Sequence, residues 1–410
     1  MIKGAFTNMS EKIYGAERFP KLPVGPLGVI SLEGSRDLAE KVNEHLMKWR
    51  AQGGANEEIE YTFPGYDKQS FILESRCPRF SNGEGKGVIA ESVRGYDLFI
   101  FCDVGNYACT YKMYDMQVPM SPDDHYQDLK RIIAATAGQA KRINVIMPLL
   151  YEGRQHRRSS RESLDCAVML QELVKMGVDN LVTFDAHDPR LHNAIPLNGF
   201  ENIMPTYQML KAMLHNEPDI DLDNSRLMVV SPDEGALDRN IYYASVMGLD
   251  LGMFYKRRDY TRIVNGRNPI IAHEYLGADV AGKDIIIADD MIASGDSALD
   301  IARCLKKANA RNIYIMTTFA LFTEGLDRFN KAYEEGLFHR VYATNLTYVR
   351  PELKQTPWFC EVDASKYLAY VLAAINHDYS LNRMMNPYDK ISKLLHDYKA
   401  QKNEDALRIF

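Results

Sequence analysis

Short apolar runs alternate with amphipathic stretches along most of the chain. LGVIS comes first, followed by SRDLAEKVNEHLMKWRAQ, whose apolar residues recur at helical spacing. YDLFIFCDV, INVIMPLLY and NLVTFDAH follow, separated by helical patterns in YQDLKRIIAATAGQAK and SLDCAVMLQELVKMG. This alternation predicts an α/β unit with a parallel, doubly wound sheet.

The rhythm then begins again. SRLMVVSPDEG, a helix near ALDRNIYYASVMG, LDLGMFYKRRD, DIIIADDMIASGDS, a second helix, NIYIMTTFALF and RVYATNLT form another series. Two α/β halves of similar build are expected, with a boundary between Asp188 and Asn202. The division is an N-terminal extension over 1–26, domains over 27–193 and 194–376, and a tail over 377–410 that ends in an amphipathic helix, YDKISKLLHDYKAQ. The Tyr- and Met-rich segment from Gly105 to Asp124 reads as a long loop that covers a site or lies on a partner.

The length of 410 residues agrees with two cores, since one rarely grows so large. A net charge of -6 offers no basic excess for nucleic acid. Six cysteines without a C-x-x-C pair argue against a zinc site or a disulfide framework and fit reduced thiols in the cytoplasm. No run has the length and apolarity of a membrane span, and the N-terminus lacks a signal-peptide core.

Candidate chemistry falls at predicted strand ends, where open α/β sheets bind ligands. In ADDMIASGDSALD, Asp289 and Asp290 stand side by side; like charges so close suggest a cation, a ligand with several hydroxyls, or free access to water. Ser294, Gly295, Asp296 and Ser297 then lead into a helix. Backbone N–H groups, the helix dipole and two hydroxyls can cradle a phosphate monoester while the acidic pair takes vicinal hydroxyls, as ribose 5-phosphate requires. The plainer account is helix capping, and Asp296 weighs against a phosphate because it would repel one.

VVSPDEGALDR repeats the scheme, with Asp233 at a strand end, Gly235 for a tight turn and Arg239 within reach of an anion. TFDAHDPRLH places Asp185 and His187 on one face of an extended segment, where His187 can serve a metal that otherwise takes phosphate oxygens. YKRRDYTRIVNG carries Lys256, Arg257 and Arg258, a cationic loop suited to charge that builds during phosphoryl transfer, or a solvated basic patch. YEGRQHRRSSRES adds Arg154, Arg157, Arg158 and Arg161. There is no G-x-x-x-x-G-K-[ST], so a P-loop is not the nucleotide site.

RFSNGE with ESVRGYDLFIF, GRQHRR, FDAH, VSPDEGALDR, KRR and DIIIADDMIASGDS occur in an order that resembles the ribose-phosphate pyrophosphokinases, over roughly Gly28 to Tyr370. The resemblance implies two tandem phosphoribosyltransferase-like (type I) domains, each with a mostly parallel sheet flanked by helices. It implies transfer of the β,γ-pyrophosphoryl group of MgATP to the 1-hydroxyl of ribose 5-phosphate, with Mg2+ as cofactor and AMP released. Phe80, Asn82 and Glu84 would meet adenine, with Arg154 and Gln155 also at the nucleotide. His187 and Asp233 would lie near metal and phosphates, and Lys256 and Arg258 would stabilise the transition state. Asp289 and Asp290 would hold the ribose hydroxyls, and Ser294, Gly295, Asp296 and Ser297 the 5-phosphate. A homo-oligomer, dimer or hexamer, is expected, with neither nucleic acid nor membrane as partner.

The chain departs from the family pattern at Asn82 and His156, where Asp is usual, and at Ala293 and Asp296, where Asp and Gly are usual. TTFALF lacks the His and Gly common after that strand. A catalytically silent regulatory relative is the alternative, and a phosphoribosyltransferase a third. Lys256 and Arg258 favour an enzyme, since an inactive scaffold has no chemical need of them.

Overall fold

Strands form where β-branched and aromatic residues run together between turn residues, and central ones such as Asp97–Phe101, Leu227–Ser231 and Ile313–Ala320 are buried on both faces, as parallel strands covered by helices must be. The structure, a computed structural model, describes residues 22–53, 69–158, 160–258 and 270–407. These divide into two units. One takes the chain up to Met204, with Leu346–Tyr348 and Asp363–Asn386; the other takes Pro205–Asn345, Val349–Val362 and the chain from Pro387.

The first unit has a five-stranded sheet in the order Leu27–Ser31, Asp97–Phe101, Arg142–Ile146, Asn180–Phe184, Gly199–Ile203, parallel throughout. These five strands follow chain order, but residues 71–73 run parallel along the other edge of Leu27–Ser31 through Val29, so the order reverses at that first strand. One face packs on the helices Pro122–Ala135 and Asp165–Lys175 through Ile30, Leu98, Ile100 and Val145.

The last strand, Gly199–Ile203, pairs with Asn180–Phe184, so the unit ends at Met204 and not near residue 193. Helix Ser365–Asn376 also belongs here, although the sequence division put it in the second half. It stacks Tyr370 on Trp49 of helix Arg36–Gly53, with ring centroids 4.1 Å apart. A buried polar knot fixes it. Asp97 accepts from Arg142 Nε and Nη2 at 2.8 and 2.7 Å, from Asn144 at 2.7 Å and from Asn376 at 2.9 Å.

The segment Gly105–Asp124 is not a plain loop. Thr110–Met113 and Met116–Pro119 form an antiparallel hairpin whose turn residues, Tyr114 and Asp115, have φ of 46° and 65°. Such turns normally announce themselves by Asn-Gly or Asp-Gly, and Tyr-Asp does not. The chain then enters helix Pro122–Ala135 through a reciprocal cap between Ser121 and Asp124.

The second unit holds seven strands in the order Ile270–Leu276, Leu251–Arg258, Leu227–Ser231, Asp284–Ile292, Ile313–Ala320, Arg340–Thr344, Phe359–Val362. Ile270–Leu276 is an antiparallel edge strand, and the remainder is parallel. Here the order reverses between Leu227–Ser231 and Asp284–Ile292. Alternate residues of these strands face opposite cores: Met228, Val230, Ile285 and Ile287 pack on helix Asp296–Lys307, while Leu227, Val229, Ile286 and Ala288 pack on helices Thr206–Asn216, Leu237–Met247 and Tyr388–Leu407.

Candidate active site

The reversal of strand order in the second unit leaves a crevice at the carboxyl ends of two adjacent strands, the usual ligand position in such sheets. Asp233 follows the end of Leu227–Ser231, and Asp289 and Asp290 lie near the end of Asp284–Ile292. The acidic pair falls within the strand and not beyond it, since Asp289 still pairs with Thr317 and Met291 with Phe319. Asp290 is buried and Asp289 half-buried. Asp289 Oδ1 accepts from the N–H of Asp290 at 2.9 Å, and Asp290 Oδ1 from that of Met291 at 2.8 Å.

Burial, then the adjacent Asp290 carboxylate, pushes the Asp289 pKa up, and Arg239 opposes the rise from 3.6 Å. Two carboxylates so placed gain from any ligand that brings hydroxyl donors or a cation. Asp233 Oδ1 accepts from the N–H of Ala236 at 3.1 Å. Gly235 does not take a left-handed φ; its missing side chain leaves room for the Asp233 carboxylate, which a Cβ would meet at 3.3 Å.

Asn240, which sequence reasoning passed over, holds these parts together. Fully buried, it donates to Ala288 O at 2.8 Å and to Ala236 O at 2.7 Å, and accepts from the N–H of Ala288 at 3.1 Å. It thereby ties the Asp233 loop to the strand that carries the acidic pair. Its one sequence signal was an amide at an otherwise apolar, inward-facing helical position.

The Ser294–Ser297 turn enters helix Asp296–Lys307 through Gly295, with φ 80°. That conformation favours glycine, and a Cβ there would come within 2.2 Å of the Phe329 ring. Backbone bonds from Leu321 and Phe322 to Ile292 O and from Thr323 to Ala293 O, each 3.0 Å, brace the turn. Phe322, Phe329 and Trp358 pack beneath it as an aromatic floor. Asp296, expected to repel a phosphate, is paired with Arg328, and that hydrogen bond holds its carboxyl below the usual range.

Lys256 and Arg258 lie on strand Leu251–Arg258, in register with His273 and Ile270 and beside a bulge at Arg257/Arg258. Their side chains, and the rest of the cationic loop over 259–269, lie outside the described residues.

In the first unit, Phe80, Asn82 and Glu84 share one tight turn. Phe80 N–H donates to Glu84 O at 2.7 Å, Gly83 has φ 93°, and Asn82 Nδ2 donates to Glu84 Oε2 at 2.8 Å. Phe80 is 55% exposed, a flat apolar ring on the surface. Beneath the turn, Arg79 makes two bonds to Asp128, at 2.7 and 2.8 Å, with side chains only 6% and 5% exposed. Tyr111 of the hairpin covers the guanidinium at 5.1 Å.

Arg154 is exposed, and Gln155 is turned back on its own loop, donating to Ser163 O at 2.8 Å. His187 is exposed, with the His156 ring 5.3 Å away. Burial pushes the His156 pKa down, against the pull of Asp188. Asp188 itself is held at about 2, chiefly by hydrogen bonds from Arg190. The structure thus brings Arg154, Gln155 and His187 onto neighbouring loops of one unit, and Asp233, Asp289, Asp290 and Ser294–Ser297 onto one crevice of the other.

Two phosphoribosyltransferase-type α/β units in tandem, one with an acidic strand end beside a phosphate-type turn, define the class of protein. The N-terminal domain of ribose phosphate pyrophosphokinase matches residues 27–177, and the phosphoribosyl transferase domain matches residues 201–335. The ribose-phosphate pyrophosphokinase of Mycoplasma pneumoniae is 28% identical over 306 residues, covering 74% of this chain and 85% of the relative. That of Pasteurella multocida is 29% identical over 314 residues, covering 75% and 89%. The phosphoribosylpyrophosphate synthetase structure from Mycobacterium smegmatis, 20% identical, shares the fold with a TM-score of 0.66, covering 86% of this chain and 99% of that one. The chain belongs to the ribose-phosphate pyrophosphokinase family.

Proposed function

We propose that the protein transfers the β,γ-pyrophosphoryl group of MgATP to the 1-hydroxyl of ribose 5-phosphate, forming phosphoribosyl pyrophosphate and AMP. The observation that carries this reading is the meeting of Asp233, the Asp289–Asp290 pair and the Ser294–Ser297 turn at the reversal of strand order in the second unit. A ligand with a phosphate at one end and vicinal hydroxyls at the other satisfies both the turn and the acidic pair.

In this reading Asp289 and Asp290 accept from the ribose hydroxyls, and Ser294, Gly295, Asp296 and Ser297 supply the turn that receives the 5-phosphate. Phe80 stacks on adenine, and Asn82 and Glu84 bond its edge. Arg154 and Gln155 serve the nucleotide phosphates. Among the described residues no three His, Cys, Asp or Glu side chains are grouped as a metal cage. That fits Mg2+ arriving with ATP, since this ion keeps waters and phosphate oxygens and needs only one or two protein ligands. Asp233 supplies an oxygen ligand, and His187 lies near the phosphates. Bound there, the ion would supply positive charge beside the phosphates, and Lys256 and Arg258 neutralise charge on the transferring group. No covalent intermediate with the protein is needed: the sugar oxygen forms its bond to the β-phosphorus as the bond from that phosphorus to the α-phosphate oxygen breaks, the electron pair leaves with AMP and the hydroxyl proton passes to water.

Among the described residues no helix is long and apolar enough to cross a membrane, and all six thiols are free. A cytoplasmic homo-oligomer completes the proposal. Its test is incubation with MgATP and ribose 5-phosphate: AMP should accumulate only when both are present, whereas ADP in its place would mark an ordinary kinase and sink the reading.

A further inference from the structure

The turn that this reading gives to the 5-phosphate contains a carboxylate at the first position of its helix. Asp296 is attracted by the helix N-terminus, as any phosphate would be, so the two compete for one place. The structure turns the carboxylate aside. Its Oδ1 accepts from Nη2 of Arg328 on helix Asp327–Glu334, while Arg328 Nη1 donates to Glu324 Oε2 at 3.1 Å. The next residue, Phe329, is the floor that Gly295 rests on. Consecutive residues of one helix thus serve consecutive residues of the turn: Phe329 beneath Gly295, Arg328 beside Asp296.

We infer that Arg328 is a positioning residue for ribose 5-phosphate, and that by neutralising Asp296 and holding it against the Asp327–Glu334 helix it leaves the turn able to receive a dianionic phosphate. This rests on the reading of Ser294–Ser297 as the phosphate turn. Both partners are about half exposed, and exposed ion pairs add little to folding. The consequence of losing Arg328 therefore falls on the ligand, which meets an uncompensated negative charge at short range.

Calorimetric titration of ribose 5-phosphate into the full-length protein, R328Q, D296N and R328Q/D296N tests this, with thermal unfolding of each recorded alongside. R328Q should weaken binding about tenfold. The double variant should recover most of that loss, because the charge that Arg328 compensates is gone; simple loss of structure would not be rescued in this way. Unchanged affinity in R328Q, or a double variant as weak as R328Q, overturns the inference. Should R328Q fail to fold, D296N alone decides: it leaves Arg328 without its carboxylate beside the turn and should tighten binding, and weaker binding overturns the inference. If the unmodified protein does not bind ribose 5-phosphate, the phosphate-turn reading fails first; binding without rescue removes only the role of Arg328.

Discussion

The side chain of Asn240 takes the place of a strand partner for Ala288. Its amide donates to the Ala288 carbonyl at 2.8 Å and accepts from the Ala288 N–H at 3.1 Å, one residue before the acidic pair. Both groups are buried, so truncating Asn240 would strand a backbone donor and acceptor without water.

Asn240→Ala should therefore cost about 2–4 kcal/mol in stability, measured by urea unfolding. Ribose 5-phosphate affinity, titrated under conditions where the variant is folded, should also fall, because Asp233 and Asp289 lose their common anchor. Unchanged affinity would make Asn240 a purely structural residue.

Asp128 lies beneath the Phe80 turn, between Arg79 and Arg131, with bonds of 2.7 Å to each. Removing one partner of a buried ion pair leaves an unpaired charge in low dielectric. Asp128→Ala should cost about 3–5 kcal/mol and raise the KM for ATP more than that for ribose 5-phosphate. Unfolding curves and initial rates check the two halves separately, and equal effects on both substrates would separate the turn from the nucleotide.

The strands, the helices and the acidic crevice were legible because each depends on local patterning. DIIIADD is a β-branched run ending in charge, and SGDS is a helix entry, whatever surrounds them. The hairpin over 110–119 was not legible: its apolar face is only Tyr111, Met113 and Val118, on strands of four residues, and Tyr-Asp is an unusual turn. Nor was the return of Asp363–Asn376 to the first unit, which depends on Asp97 and Asn376 meeting across 279 positions of the chain. Asp296 shows the same limit within the site. Its charge could be read from sequence, but its neutralisation by Arg328, 32 positions on, could not.

Lys390 on the C-terminal helix gives a pH signature independent of catalysis. Burial pushes its pKa down to about 8, and its ammonium lies 6.0 Å from the centre of the Tyr207 ring. The folded pKa lies below the unfolded one near 10.4, so between these values the unfolded chain binds more protons and stability rises with pH. The burial penalty is fully present below about 8. Lys390→Met should raise stability by about 1–2 kcal/mol at pH 7, and the gain should vanish above roughly pH 10.5. Melting temperatures of both proteins across that range decide it; a gain that persists at high pH would point to packing in place of charge.

Lys256 lies in its strand one residue before the Arg257/Arg258 bulge, at the start of the cationic segment. If it meets charge only as the pyrophosphoryl group moves, Lys256→Ala should lower kcat about 10²–10³-fold with little change in the ribose 5-phosphate KM. A rise in KM at constant kcat would instead place Lys256 in ground-state binding.

The central claim is that two phosphorus atoms travel together from nucleotide to sugar. ATP carrying 32P separately at the α-, β- or γ-phosphorus, with the products of its reaction with ribose 5-phosphate separated by chromatography and counted, tests it directly. The β and γ labels should both appear as a diphosphate on the sugar and the α label in AMP; label from the γ position alone on the sugar, or none, would contradict it.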